Sequence, residues 1–121
     1  GHLMGDEVIK AIGQICNNFV QGDEAITGRY GGDEFVIILK NFSEHEIMKL
    51  AQTLFNALSN MTVHYEKQSV QITISMGIVC NHSIIARRFT QLFKVADQAL
   101  YMAKSQGKNQ IVTLSNTNCY L

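Results

Sequence analysis

Apolar residues recur along the chain at two spacings, and each change of spacing marks an element. Val8, Ile12, Ile15, Cys16 and Phe19 fall on one helical face, which predicts a first helix over about residues 6–20. Residues 25–30 read as a short strand. Phe35, Val36, Ile37, Ile38 and Leu39 form a continuous apolar run of the kind buried on both faces of a sheet. Gly31 and Gly32 join the two as a hairpin. Ser43 and Glu46 have the S-x-x-E spacing of a capping box, and Ile47, Leu50, Ala51, Leu54, Phe55 and Leu58 follow as one stripe. A second helix is therefore expected over residues 44–59. Residues 61–65 read as a strand, and Val70, Ile72, Ile74, Met76 and Ile78 alternate through the next, the pair being joined through residues 66–69. A last helix turns Phe89, Leu92, Phe93, Ala96, Ala99, Leu100 and Ala103 inward and stops near Gly107. Tyr101, Phe93 and Phe89 stand at helical spacing and are expected in the core. Residues 111–114 make a final short strand, and residues 115–121 read as a tail or linker. Helices and strands alternating around a mainly antiparallel sheet predict an α/β sandwich with helices packed on the sheet.

Composition narrows the picture. The chain's 121 residues suffice for one compact domain with a real core and are too few for two. With 46% hydrophobic and 17% charged residues it reads as globular. Ten Lys and Arg balance ten Asp and Glu, so no overall field attracts nucleic acid or an anionic membrane. Any anion must be held by a local site. Cys16, Cys80 and Cys119 are odd in number and far apart, which fits a reducing cytosol better than a disulfide framework. His2, His45, His64 and His82 fall in separate elements without ligand spacing, which favours surface or partly buried roles over a zinc site. No window approaches the roughly 18 apolar residues of a membrane span, and no signal-peptide pattern opens the chain. A cytoplasmic domain is expected, cut from or attached to a larger and even membrane-anchored protein.

The candidate chemistry lies in the sequence RYGGDEF, residues 29–35. A hairpin needs glycines to turn but has no need of Asp33 and Glu34 at the mouth of an apolar strand. The sheet fixes the backbone of these acids and leaves their side chains at its edge. Two residues without Cβ let a ligand approach the backbone closely. A rigid carboxylate beside such an opening suits Mg²⁺, which accepts one or two protein oxygens and takes the rest from phosphates and water. The arrangement points to a nucleoside triphosphate.

RYGGDEF, together with ADQALYMAKSQGKN at residues 96–109, resembles the GGDEF family of diguanylate cyclases, whose members carry ADxALYxAKxxGRN in the second place. GHLMGD, residues 1–6, is similar to the family's GHxxGD, and TISMGI, residues 73–78, to its TxSxG strand. The resemblance implies an α+β fold of the nucleotidyl-cyclase or polymerase-palm type, with a ferredoxin-like core. It implies condensation of two GTP into cyclic di-GMP with loss of pyrophosphate, in a homodimer that faces two half-sites, with Mg²⁺ or Mn²⁺ as cofactor. Asp33 would hold the metal. Glu34 would assist, either by accepting the 3′-hydroxyl proton or by joining the metal site. Gly31 and Gly32 would let the nucleotide lie against the hairpin, and Asp6 would accept hydrogen bonds from the guanine edge. Lys104 and Lys108 match positions that hold the triphosphate, the second being Arg in most members. The same lysines also suit the helix C-terminus, where a cation contributes about 0.3–1 kcal/mol.

Two departures from the family matter. Members begin with a strand carrying another metal-binding Asp and an FKxxND segment whose Asn reads guanine, and this chain starts after both. The single GGDEF domain expected over residues 1–121 is thus truncated at its N-terminus, and its unpaired strand edges should recruit a further strand or a second chain. The inhibitory RxxD motif of many members is replaced by Gly22, Asp23, Glu24 and Ala25, so product inhibition there is not expected. A non-catalytic GTP-binding module regulating an attached domain, such as a cyclic di-GMP phosphodiesterase, is the alternative. An upstream sensory domain is implied in either case.

Overall fold

Helix α1 (His2–Phe19) starts ahead of the stripe that predicted it, so Asp6 lies within its second turn. Leu3 and Met4 stand ahead of that stripe and continue the same helix, with Leu3 exposed. The computed structural model describes residues 2–22, 24–80 and 89–115. Among them follow strands β1 (Ala25–Gly31) and β2 (Glu34–Leu39), helix α2 (Glu44–Ser59), and strands β3 (Thr62–Tyr65), β4 (Gln68–Gln71) and β5 (Met76–Cys80). Helix α3 (Phe89–Ser105) and strand β6 (Ile111–Ser115) complete the order. Cys119, His82 and the tail beyond residue 115 lie outside the described residues, as does Asp23. The described strands pair as three two-stranded sheets, and the chain divides into two compact units, Gly1–Ile72 and Thr73–Leu121.

In the first unit α1 packs against α2, β1 and β3. Cys16, Val20, Ala51, Leu54, Leu58 and Val63 are buried there. Burial pushes the Cys16 thiol above its ordinary range, because the thiolate would lose its hydration. Strands β1 and β2 are antiparallel, with Ala25 opposite Leu39 and Arg29 opposite Phe35. The expectation that β2 is buried on both faces does not hold. One face lies under α1, where Phe35 sits 3.8 Å from the point a Cβ on Gly13 would occupy. On the ladder, Ile26 pairs with Ile38, and both stay exposed, at 65% and 39%. Side chains alternate between the two faces of a strand, so the face that carries Ile26 and Ile38 is the one turned away from Phe35.

Helix α2 is set by its cap. The Ser43 Oγ accepts from the Glu46 N–H at 3.1 Å, and the Ser43 N–H donates to Glu46 Oε1 at 2.9 Å. Each bond satisfies a backbone or side-chain group at a helix end that has no partner in the helix. The β3–β4 hairpin turns more tightly than expected: Tyr65 pairs with Gln68, leaving Glu66 and Lys67 as the loop, with Glu66 at φ 56°.

In the second unit β5 and β6 run parallel, Met76 opposite Ile111 and Cys80 opposite Ser115, and α3 packs on both. The alternating run from Val70 to Ile78, expected as one strand, is two. Val70 pairs with Val63 in one sheet and Ile78 with Thr113 in another, and the ladder lapses between them. Alternation records burial but not the identity of the partner. Helix α3 buries Val95, Ala99 and Ala103 at 1%, 0% and 0% exposure. At about 100° per residue Tyr101 then falls about 200° from Ala99, and it is 73% exposed. Phe89 is 52% exposed and its ring centroid lies 5.8 Å from that of Phe93. Tyr101 and Phe89 are therefore outside the core that helical spacing assigned them to, while Phe93 is half-buried.

Candidate functional site

The RYGGDEF segment folds as a hairpin tip with a built-in irregularity. The ladder pairs Arg29 with Phe35 but Gly31 with Glu34, so Tyr30 is an extra residue on β1 and the loop shrinks to Gly32 and Asp33. A two-residue loop matching strand twist needs positive φ at its first central position, and Gly32 has φ 49°. A Cβ on Gly31 or Gly32 would meet nothing within 4 Å. The backbone at the tip is open to a ligand. Asp33 is exposed at the loop, and Glu34, half-buried, opens β2.

Arg29 was not singled out by the sequence pattern. Its Nε and Nη2 both donate to the Gly32 carbonyl, at 2.8 and 2.5 Å. The signal that could have found it is its place directly before Tyr-Gly-Gly, one arginine length from the turn it ties down.

Asp6 is exposed on α1, the helix packed on β1, and shares the first unit with Gly31, Gly32, Asp33 and Glu34. Lys104 and Lys108 belong to the second unit. Lys104 is exposed in the last turn of α3. The helix then ends in a Schellman-type closure, the Lys108 N–H donating to the Ala103 carbonyl at 2.9 Å. Gly107, Lys108 and Asn109 have φ of 119°, 63° and 49°. Two successive non-glycine residues in the left-handed region are costly, about 1–2 kcal/mol each. The Gln110 Nε2 holds the turn by donating to the Gln106 and Lys108 carbonyls, each at 3.1 Å. Lys108 thus stands on a tethered turn rather than a free tail.

Among the described residues no group of three or more His, Cys, Asp or Glu is gathered to hold a metal. Asp33 and Glu34 are adjacent in the chain beside the two glycines and supply hard oxygen donors. Donors of that type suit Mg²⁺ or Mn²⁺ sharing its shell with substrate oxygens better than a closed tetrahedral zinc site.

An open cleft of about 470 Å³ lies elsewhere in the first unit, lined by Phe19, Val20, Ala25, Leu39, Phe42 and Leu50 among others. It adjoins the open end of the hairpin, where Ala25 faces Leu39, and none of the candidate residues lines it. The exposed tip, with its carboxylates, is the better candidate. Among the described residues no helix is long and apolar enough to cross a membrane.

Comparison with known proteins bears on the whole chain. The family model described as diguanylate cyclase, GGDEF domain, matches residues 1–110. Diguanylate cyclase A of Treponema denticola is 30% identical over 118 residues, covering 98% of this chain and 31% of its own length. The chain thus spans about a third of that relative. An EAL/GGDEF domain protein from M. capsulatus, solved by X-ray crystallography, superposes with a TM-score of 0.80 at 31% identity, over 93% of this chain and 72% of that one. The active GGEEF domain of a diguanylate cyclase from Vibrio cholerae gives 0.78 at 26% identity, over 93% and 70%.

Proposed function

The chain belongs to the GGDEF domain family of diguanylate cyclases, and on that footing we propose that residues 1–121 are part or all of one domain that condenses two GTP into cyclic di-GMP, releasing pyrophosphate. The observation that carries the reading is the tip itself, where a two-residue turn sets Asp33 at an exposed corner beside two glycines whose Cβ positions are open. Gly31 and Gly32 admit the triphosphate to the hairpin. Asp33, with Glu34 beside it, holds a divalent cation against the phosphates. Mg²⁺ or Mn²⁺, when bound, supplies charge neutralisation on the phosphoryl oxygens. Glu34 either shares that cation or takes the proton of the attacking 3′-hydroxyl. Asp6 accepts from the guanine edge, and Lys104 and Lys108 draw the triphosphate tail. One chain presents one nucleotide, so the two 3′-hydroxyls reach each other's α-phosphorus only when two chains face in a homodimer.

The test uses the full-length protein with GTP and Mg²⁺, following product by chromatography. Cyclic di-GMP should form, and Asp33→Ala or Glu34→Ala should abolish it without lowering the melting temperature, since both acids lie outside the buried core. Product formed by either variant at the wild-type rate would overturn the assignment of the site.

A second reading is favoured by one fact: the solved protein at 31% identity is described as an EAL/GGDEF domain protein. In that reading the domain binds GTP and regulates an attached domain. Saturable GTP binding without product from the full-length wild type would decide for it.

A further inference from the structure

We propose that Arg29 is a positioning residue for Asp33, its guanidinium acting as the brace that fixes the direction of the Asp33 carboxylate toward the cation. The inference deepens the proposed function and rests on the metal role assigned there to Asp33. It starts from the two hydrogen bonds that Arg29 Nε and Nη2 make to one acceptor, the Gly32 carbonyl. That carbonyl belongs to the peptide linking Gly32 to Asp33. A peptide unit is planar, so pinning its oxygen fixes the plane that ends at the Asp33 Cα.

The glycines of the tip add no side-chain hold of their own. Neither glycine has a side chain, and the space around their missing Cβ atoms is empty to 4 Å. Glycine also has the largest backbone freedom to lose. The extra residue at Tyr30 interrupts the ladder just before the loop. A turn built from two glycines gains order from a contact made from outside the loop. Arg29 lies in β1, opposite Phe35, whose ring rests against α1 at Gly13. The brace is therefore anchored in the paired part of the hairpin.

The geometry distinguishes positioning from simple charge. If Arg29 acted only as a nearby cation, its removal would relieve repulsion and strengthen binding of a divalent ion at Asp33. If it acts as a brace, removal frees the carboxylate and weakens that binding. Groups that orient a metal ligand from outside cost about 10- to 100-fold in metal affinity when lost. A lysine keeps the charge but has no planar fork to grip one carbonyl with two N–H groups.

The experiment is a Mn²⁺ titration of the 121-residue chain, followed by paramagnetic broadening of the Gly32 and Glu34 amide signals, with order parameters measured beforehand without metal. In the wild type the Gly32 and Asp33 amides should be ordered, and in Arg29→Ala and Arg29→Lys their order parameters should drop below about 0.6. The Mn²⁺ midpoint should rise about tenfold in both variants, with the melting temperature unchanged. An ordered tip in Arg29→Ala, or a midpoint that falls or stays put while the tip loosens, would overturn the proposal. Asp33→Ala is the control. If it leaves Mn²⁺ broadening intact, the metal reading of Asp33 has failed and takes this proposal with it. If it abolishes broadening while Arg29→Ala does not shift the midpoint, only the brace has failed.

Discussion

Replacing Gly77 by alanine adds a single methyl group, and the structure places that methyl inside the backbone of a helix. A Cβ at this position would stand 2.5 Å from the Ala96 carbonyl oxygen and 2.8 Å from the Leu100 Cα, with the Leu100 nitrogen closer still. Unstrained carbon contacts lie at about 3.5–4.0 Å, so strand β5 and helix α3 must separate by roughly 1 Å. No flexible side-chain end can give way instead, because every atom in the path is main chain. The separation loosens the packing around Val95, Ala99 and Ala103, the most deeply buried residues of α3. Overpacking typically costs about 1–3 kcal/mol, and a backbone clash belongs at the upper end. A loss of about 3 kcal/mol should lower the melting temperature by roughly 10 °C or more at this chain length. Urea unfolding with an unchanged slope is the assay. Gly5→Ala is the control, since Gly5 lies in α1 with open space around it, and alanine there should stabilise by about 0.5–1 kcal/mol. A Gly77→Ala variant as stable as the wild type would refute the close helix–strand approach. Lys104 follows Leu100 by one turn, so the same displacement should also raise the KM for GTP if Lys104 holds the triphosphate.

Ser43→Ala removes the acceptor at the start of α2 and should cost about 1 kcal/mol in thermal or urea unfolding. The Glu46 carboxyl is held below its ordinary range, first by the Ser43 backbone N–H and then by the Ser43 hydroxyl. A depressed folded value gives stability that is present above the ordinary 4.5 and lost as pH falls through the folded value. The wild-type melting temperature should therefore fall more steeply below pH 4.5 than that of Glu46→Gln, and parallel curves would contradict the cap. If Lys108 holds the triphosphate as proposed, Lys108→Arg supplies a bidentate fork on the tethered turn after α3 and should lower the KM for GTP severalfold with little change in kcat.

The parts of this fold that were legible in the sequence are those set by neighbours a few residues away. Helix α2 runs over the predicted residues because its cap and its apolar stripe are both local. The hairpin tip was legible for the same reason, two glycines being enough to imply a turn, and Asp33 is exposed there while Glu34 is half-buried. The failures share one cause. Val70 to Ile78 alternates without a break, but Val70 and Ile78 answer to different partner strands. Tyr101 and Phe89 sit at helical spacing, but the face of α3 turned to the sheet is the one whose backbone, at Ala96 and Leu100, closes on Gly77 and which buries Val95, Ala99 and Ala103. Arg29 escaped notice because its reach to Gly32 depends on the extra residue at Tyr30, a feature of strand register and not of residue type.

Binding of cyclic di-GMP at the place of the family's inhibitory motif is the last point on which the chain can be tested, and its backbone bears on the outcome. The inhibitory motif of the family needs Arg at position 22 and Asp at position 25, where this chain has Gly22 and Ala25. A charge-assisted hydrogen bond contributes about 1.5–3 kcal/mol. Losing a two-pronged arginine contact therefore weakens binding by roughly 10²- to 10⁴-fold. Between these positions Glu24 is already engaged, its carbonyl accepting from the Lys40 N–H at 2.8 Å and its Oε1 from Asn41 Nδ2 at 2.8 Å. It closes the hairpin base and adds a carboxylate that repels phosphate. Gly22 itself has φ 107°, a conformation that an arginine would adopt only under strain. The motif is thus absent in residue type and disfavoured by the main chain. Calorimetry with cyclic di-GMP should show no tight site on the wild type, and Gly22→Arg with Ala25→Asp should regain binding only together with a loss of stability. Tight wild-type binding that disappears in Glu24→Ala would refute this and place the inhibitory contacts on Glu24 and its neighbours.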